Sequence, residues 1–229
     1  MPPLDQFRLS MGLELTAVFL FAVTGALLAV EKRYDVVGVF VLALISAVGG
    51  GLVRDSFFLQ RGAPQVLQDE RYIYAVALAT LLCLIVGAHL NRFRSVFLVV
   101  DALGLGIYAV VGTERGLEAG LHFVPAGFVG LANAIGGGVL RDVLTGKETL
   151  LFKPGEFYIL AAVIGTTVFG ALRLWTPTPA VDAAWWSIAT TCVIRFAAIA
   201  FNWQTRAARP LLGHRPPPVP ETESLTDER

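Results

Sequence analysis

The chain is 229 residues long, 55% hydrophobic and 16% charged, with a mean hydropathy of +0.65. Its 18 Lys and Arg balance 18 Asp and Glu, so no basic face asks for nucleic acid or anionic lipid. A soluble domain of this size would carry more charge, and two cysteines in separate apolar stretches, Cys83 and Cys192, build neither a disulfide framework nor a metal cluster.

In chain order, a polar tail of residues 1–10 precedes a first apolar span at 11–30. Asp5 before the span and Glu14 within it do not fit a cleaved signal peptide. A second span covers 36–59 and a third 72–90, separated by a polar connection with Arg61, Pro64, Asp69, Glu70 and Arg71. Asn91, Arg92 and Arg94 close the first unit, 11–94. A second unit, 95–174, holds spans at 95–113, 125–144 and 157–174. A seventh span lies within 183–205, and the proline-rich, polar tail 206–229 is expected to be disordered. Each span approaches the roughly 20 residues that a bilayer crossing needs.

The two units are copies. Gly49-Gly50-Gly51-Leu52-Val53-Arg54-Asp55 returns 87 positions later as Gly136-Gly137-Gly138-Val139-Leu140-Arg141-Asp142. At the same offset Glu14 meets Asp101, Ala22-Val23-Thr24-Gly25 meets Ala109-Val110-Val111-Gly112, and Ala75-Val76 meets Ala162-Val163. Three spans per copy is an odd number, so the second copy enters the membrane from the opposite side and the repeat is inverted. The expected fold is an all-α membrane protein with seven transmembrane helices in a 3+3+1 plan. With the N-terminus outside, 11 of the 18 Lys and Arg fall on the cytoplasmic side, 6 fall outside, and Arg195 sits within the seventh span. That bias favours N-out and C-in.

Three successive glycines in an apolar helix predict that the second and fifth helices break near mid-membrane, where freed backbone groups must face protein or a water-filled cavity. On that reading Gly49, Gly50, Gly51, Arg54 and Asp55, with Gly136, Gly137, Gly138, Arg141 and Asp142, line a solute path. The opposing reading is that the glycines permit close packing while the Arg-Asp pairs mark the membrane edge. Glu14 shares a helix face with Gly25, as Asp101 does with Gly112. These acids either serve as charge partners of the arginines or sit at helix starts by the interface. Arg195 either pairs with Glu14 or Asp101 or snorkels to the interface. A Gly104-Leu105-Gly106-Ile107-Tyr108-Ala109 run reads as a dinucleotide fingerprint, but it lies in an apolar span without the βαβ setting such a site requires, and helix packing explains its glycines.

Two G-G-G-x-x-R-D copies in inverted three-span repeats, followed by a seventh span, resemble the prokaryotic branch of the trimeric intracellular cation (TRIC) channels, also described as glycine transporters. The resemblance covers residues 10–205. It implies a homotrimer in a prokaryotic inner membrane, each subunit with its own pore for K⁺ and Na⁺, lined by broken second and fifth helices with help from the first and fourth. Animal members carry a Lys-Glu-Val motif that binds phosphoinositide in the fourth-span region. This chain has Thr113-Glu114-Arg115 there, so that lipid specificity is not carried over, although Arg115 keeps a basic group at the level. The partners implied are self, monovalent cations and membrane lipid, with no cofactor and no metal. Scattered His89, His122 and His214 and the lack of hydrolase motifs speak against an enzyme. Secondary transport of glycine or another small solute is the alternative, because transporters use the same inverted repeats.

Overall fold

A computed structural model describes residues 11–86, 93–149, 157–201 and 203, with side chains from 95 onward in the second of these stretches. The expectations for both tails, for the end of the third span and for Asn91 and Arg92 lie outside these residues, whereas Arg94, expected to close the first unit, falls in the first turn of the helix Phe93–Glu118.

The described chain is helical: α1 (Met11–Glu31), α2 (Val36–Val53), a short α3 (Gln65–Gln68), α4 (Arg71–Val86), α5 (Phe93–Glu118), α6 (Phe123–Leu144), α7 (Tyr158–Trp175) and α8 (Ala180–Ala200). Six of these segments are long and apolar enough to cross a membrane, and α4, described over 16 residues, is apolar but shorter. Local chemistry sets the boundaries. Asp35 caps α2 by accepting from Gly38 N at 2.7 Å, and Asp69 accepts from Arg71 N at 2.9 Å where α4 begins. The fourth span runs on to Glu118 rather than ending at Thr113, which places Glu114 and Arg115 within the helix.

The expected breaks at the glycine triplets are absent. Helical backbone continues through Gly49–Gly51 in α2 and through Gly136–Gly138 in α6. The irregular stretch comes later, where Arg54–Leu59 forms a π-helical turn closed by Gln60 in the left-handed conformation (φ 48°), whose N–H donates to Asp55 O at 2.9 Å. The second copy lacks this turn, and α6 stays α-helical to Leu144.

The glycines instead bring α2 and α6 into backbone contact. A Cβ at Gly50 would run into the carbonyl oxygen of Asn133, and one at Gly137 into that of Ser46. One at Gly136 would stand 3.0 Å from Gly50 Cα, and one at Gly49 3.5 Å from Gly137 Cα. These contacts are reciprocal under the 87-position offset: 50 with 133 and 46 with 137, then 49 with 137 and 50 with 136. The helical penalty of about 1 kcal/mol per glycine is accepted because only glycine allows this approach. In α5, Gly104 packs on Phe21 and Gly106 on Ile188 and Thr191, which is the helix packing expected of the fingerprint look-alike.

Around this crossing α1 lies against α2, α4 and α5, while α8 packs on α5 and α7. Phe21, Leu27, Leu28, Val39, Leu105 and Tyr108 fill the interior, whereas Leu78, Leu81 and Ile85 of α4 and Trp185, Trp186 and Val193 of α8 face outward, as suits contact with lipid or another subunit. The connections 60–70, 119–122 and 176–179 gather on one face of the bundle, where Arg61 donates to Glu118 O at 3.2 Å. We refer to this as the first face, and to the opposite one as the second.

Candidate functional site

Arg54 follows Gly50 by four residues, one helical turn, and Arg141 follows Gly137 likewise, so each side of the crossing carries one buried guanidinium. Both are 1% exposed, which excludes snorkelling. Each is held by the acid next to it and by the acid of the first helix in its own half.

Near the first face, Arg54 Nε donates to Asp55 Oδ1 at 2.6 Å, and Arg54 Nη2 to Asp55 Oδ2 at 3.1 Å and Glu14 Oε1 at 3.0 Å. Glu14 also accepts from Arg115 Nη2 at 3.1 Å, and Arg115 reaches Glu118 at 3.4 Å. Asp55 Oδ2 accepts from Gln65 N at 3.1 Å, tying the connection to the ion cluster. The π-helical turn begins at Arg54, so this irregular backbone is where the charged pair is presented.

Near the second face, Arg141 Nε donates to Asp142 Oδ1 at 2.9 Å, and Nη1 to Thr24 Oγ1 at 2.8 Å and Asp101 Oδ1 at 3.4 Å. Phe97 lies under the Arg141 guanidinium, 4.8 Å from ring centroid to Cζ. Arg195 is fully buried over the Tyr158 ring at 4.8 Å and is an electrostatic neighbour of Asp101. Of the two readings for Arg195, burial beside Asp101 replaces snorkelling.

The clusters stand about 15 Å apart along α1, since Glu14 and Thr24 are ten residues apart, and about 21 Å apart along α5 between Asp101 and Arg115. Of the glycines, the first two of each triplet make the crossing. A Cβ on the third would meet the arginine instead, at 3.9 Å from Arg54 Nη2 for Gly51 and 3.6 Å from Arg141 Nη2 for Gly138. The buried polar atoms that have no hydrogen-bond partner among the described residues include Arg54 Nη1, Ser46 Oγ, Asn133 Oδ1 and Asp101 Oδ2. Ser46 and Asn133 are themselves related by the 87-position offset.

Ser46, Asn133, Thr24, Glu118, Phe97 and Tyr158 belong to this machinery without having been singled out from the sequence. Asn133 and Ser46 were accessible in principle, as polar residues at matched positions in apolar spans. Thr24 lies in the Ala22–Gly25 match, but its counterpart is Val111, and Phe97 and Tyr158 have no aromatic residue at the matched positions, Ser10 and Arg71.

Comparison with known proteins places this arrangement. A family model described as glycine transporter matches residues 11–88 and again 98–173, two segments whose starts are separated by the offset of the repeat. The chain belongs to the glycine transporter family. Among proteins similar to this chain, a UPF0126 membrane protein of Deinococcus radiodurans is 36% identical over 166 residues, covering 72% of this chain and 75% of that protein. The UPF0126 inner membrane protein YadS of Escherichia coli K12 is 29% identical over 191 residues, covering 83% and 91%. The crystal structure of a TRIC trimeric intracellular cation channel orthologue from Rhodobacter sphaeroides superposes with a TM-score of 0.79 at 31% identity, covering 83% of this chain and 97% of that one. A second TRIC cation channel structure gives a TM-score of 0.76 at 28% identity, covering 89% and 98%. The glycine transporter family and the TRIC fold thus meet in this chain, an integral membrane protein by its helices and its relatives.

Proposed function

We propose that the chain is a monovalent cation channel, passing K⁺ and Na⁺ through each subunit of a homotrimer in a prokaryotic inner membrane, with the N-terminus and the first face outside. The observation that carries the reading is the pair of buried arginines, each neutralised by two carboxylates, at the two ends of one glycine crossing. A cation path must keep fixed positive charge from repelling the ion. Counting Arg54 and Arg115 against Glu14, Asp55 and Glu118, the first cluster carries a formal charge of −1; counting Arg141 and Arg195 against Asp101 and Asp142, the second carries 0. Gly51 and Gly138 leave room beside the guanidinium groups, and the unpartnered atoms of Arg54, Ser46, Asn133 and Asp101 are distributed from one cluster through the crossing to the other. The three oxygens are acceptors that water or a passing cation satisfies, and the Arg54 Nη1 donor is one that water satisfies. The inverted order of the repeat is supported by the reciprocal α2–α6 contacts, because a pair i with j accompanied by its counterpart pair is what a two-fold axis generates.

One observation favours a second reading, transport of a small zwitterion such as glycine. The polar pocket of about 140 Å³ on the first face is lined by groups of both signs, Asp55 and Glu118 with Arg61 and Arg115. These could meet an ammonium and a carboxylate together.

Planar-bilayer recording of the purified protein tests the proposal. Unitary currents whose reversal potential in asymmetric KCl follows K⁺ are expected. Saturable glycine uptake into proteoliposomes, without such currents, would replace the channel by the transporter.

A further inference from the structure

The two ends of the bundle differ, although the residues that neutralise their arginines are related by the repeat. On the first face Asp55 and Arg115 line the pocket of about 140 Å³, their side chains 16% and 32% exposed. On the second face the void beside Arg141 and Asp142 is about 10 Å³, the space of a single water at most, and the Asp142 side chain is 5% exposed.

Residues that the repeat does not supply make this difference. The Phe97 ring carries two cations, Arg141 Cζ at 4.8 Å and Lys147 Nζ at 5.3 Å from its centroid. The Tyr158 ring lines the small void and lies under Arg195 at 4.8 Å. Both rings are nearly buried. Their counterparts 87 positions earlier are Ser10 and Arg71; Tyr72, one place on, is buried beside Glu14 and Arg54 but does not line the first-face pocket, and Arg195 belongs to the helix that has no counterpart.

We propose that Phe97 and Tyr158 form a one-ended aromatic closure over the Arg141 cluster. In the conformation described here a small cation reaches the first-face cluster, and passage requires the two rings to leave their cations at the second face. Cation–π contacts are individually weak, so a closure held by them is reversible. The inference rests on the permeation reading above.

Thiol labelling tests it independently of current. In a Cys83→Ala, Cys192→Ala background, Ile135→Cys places a reporter in the small void and Gln65→Cys places one in the first-face pocket. A charged, membrane-impermeant methanethiosulfonate is added from the second face for the former and from the first face for the latter. Tyr158→Ala and Phe97→Ala are expected to raise the labelling rate at Ile135→Cys at least tenfold and to leave the Gln65→Cys rate unchanged. Phe97→Leu, which keeps bulk but loses the ring, should raise the Ile135→Cys rate about threefold and carries the test if the alanine variants do not assemble. Unchanged Ile135→Cys labelling in assembled variants overturns the closure. If the parent protein gives unitary currents while labelling stays unchanged, the closure fails and the channel stands. If labelling rises but the parent gives no currents, the channel reading fails and the closure stands.

Discussion

Phe21 stacks on Tyr108, its own counterpart 87 positions later, with ring centroids 5.1 Å apart. On the inverted-repeat reading a residue touches its own copy only close to the axis that relates the copies, and this pair lies where that axis would pass. Gly50 and Gly137 give a second such meeting, a Cβ on Gly50 standing 3.5 Å from Gly137 N. Tyr108 binds the two halves further by donating to Ala47 O, while its own carbonyl accepts from Asn133 Nδ2 at 2.8 Å.

The glycines of one triplet should therefore differ in what they tolerate. Gly50→Ala and Gly137→Ala would drive a methyl into a carbonyl oxygen that cannot yield without separating the helices, and a loss of about 1–3 kcal/mol or more is expected. Gly51→Ala meets only the end of Arg54 at 3.9 Å and gains helix propensity of about 0.5–1 kcal/mol. Thermal unfolding of the three variants in detergent checks the order, and equal losses at all three positions would contradict it.

Removing a carboxylate should cost more where the arginine has less access to water. Asp142→Asn leaves Arg141 with a neutral neighbour in a nearly sealed cluster, whereas Asp55 opens onto the first-face pocket. Breaking a buried pair costs about 3–5 kcal/mol. Asp142→Asn is expected near the top of that range and Asp55→Asn below it, read as assembled yield and melting temperature. The reverse order would mean that exposure does not govern the pairing.

Ser46 offers a test of the path with little structural cost. Its buried hydroxyl has no hydrogen-bond partner among the described residues, so Ser46→Ala removes an unpaired buried polar group and should not lower the melting temperature. On the proposed function, losing that oxygen changes single-channel conductance at least twofold. Unaltered conductance in a well-assembled Ser46→Ala preparation would remove this residue from the path.

Sidedness is checked with reporter fusions. A fusion after Gly120, on the first face, is expected to read outside, and one after Leu90 to read cytoplasmic. The opposite result at both would reverse the orientation.

Much of this architecture was legible because the repeat keeps single-residue registry over 87 positions, so Glu14, Asp101, Arg54 and Arg141 could be matched as candidate partners before any geometry was known. The glycine triplets were misleading for a physical reason. Helix propensity treats each glycine as a weakness, but at Gly50 and Gly137 the carbonyl of a neighbouring helix occupies the space a side chain would need, and packing outweighs propensity. The π-helical turn at Arg54–Leu59 leaves no signature in composition, and its absence from the second copy could not be read from matched residues. Phe97 and Tyr158 stand opposite Ser10 and Arg71 at the 87-position offset, so the repeat carries no signal for either ring.

The reach of the contacts along the chain also sets an order for biogenesis. Arg54 lies 40 residues from Glu14 and Arg141 lies 40 from Asp101, so each half can neutralise its own arginine as soon as its first two helices have entered the bilayer. The contact of Gly50 with Asn133 spans 83 residues and must wait for α6 to leave the ribosome and insert. A nascent chain halted before α6 would hold a charge-compensated but half-built bundle, with the glycine edge of α2 turned toward lipid and available to whatever helix or insertion factor lies beside it.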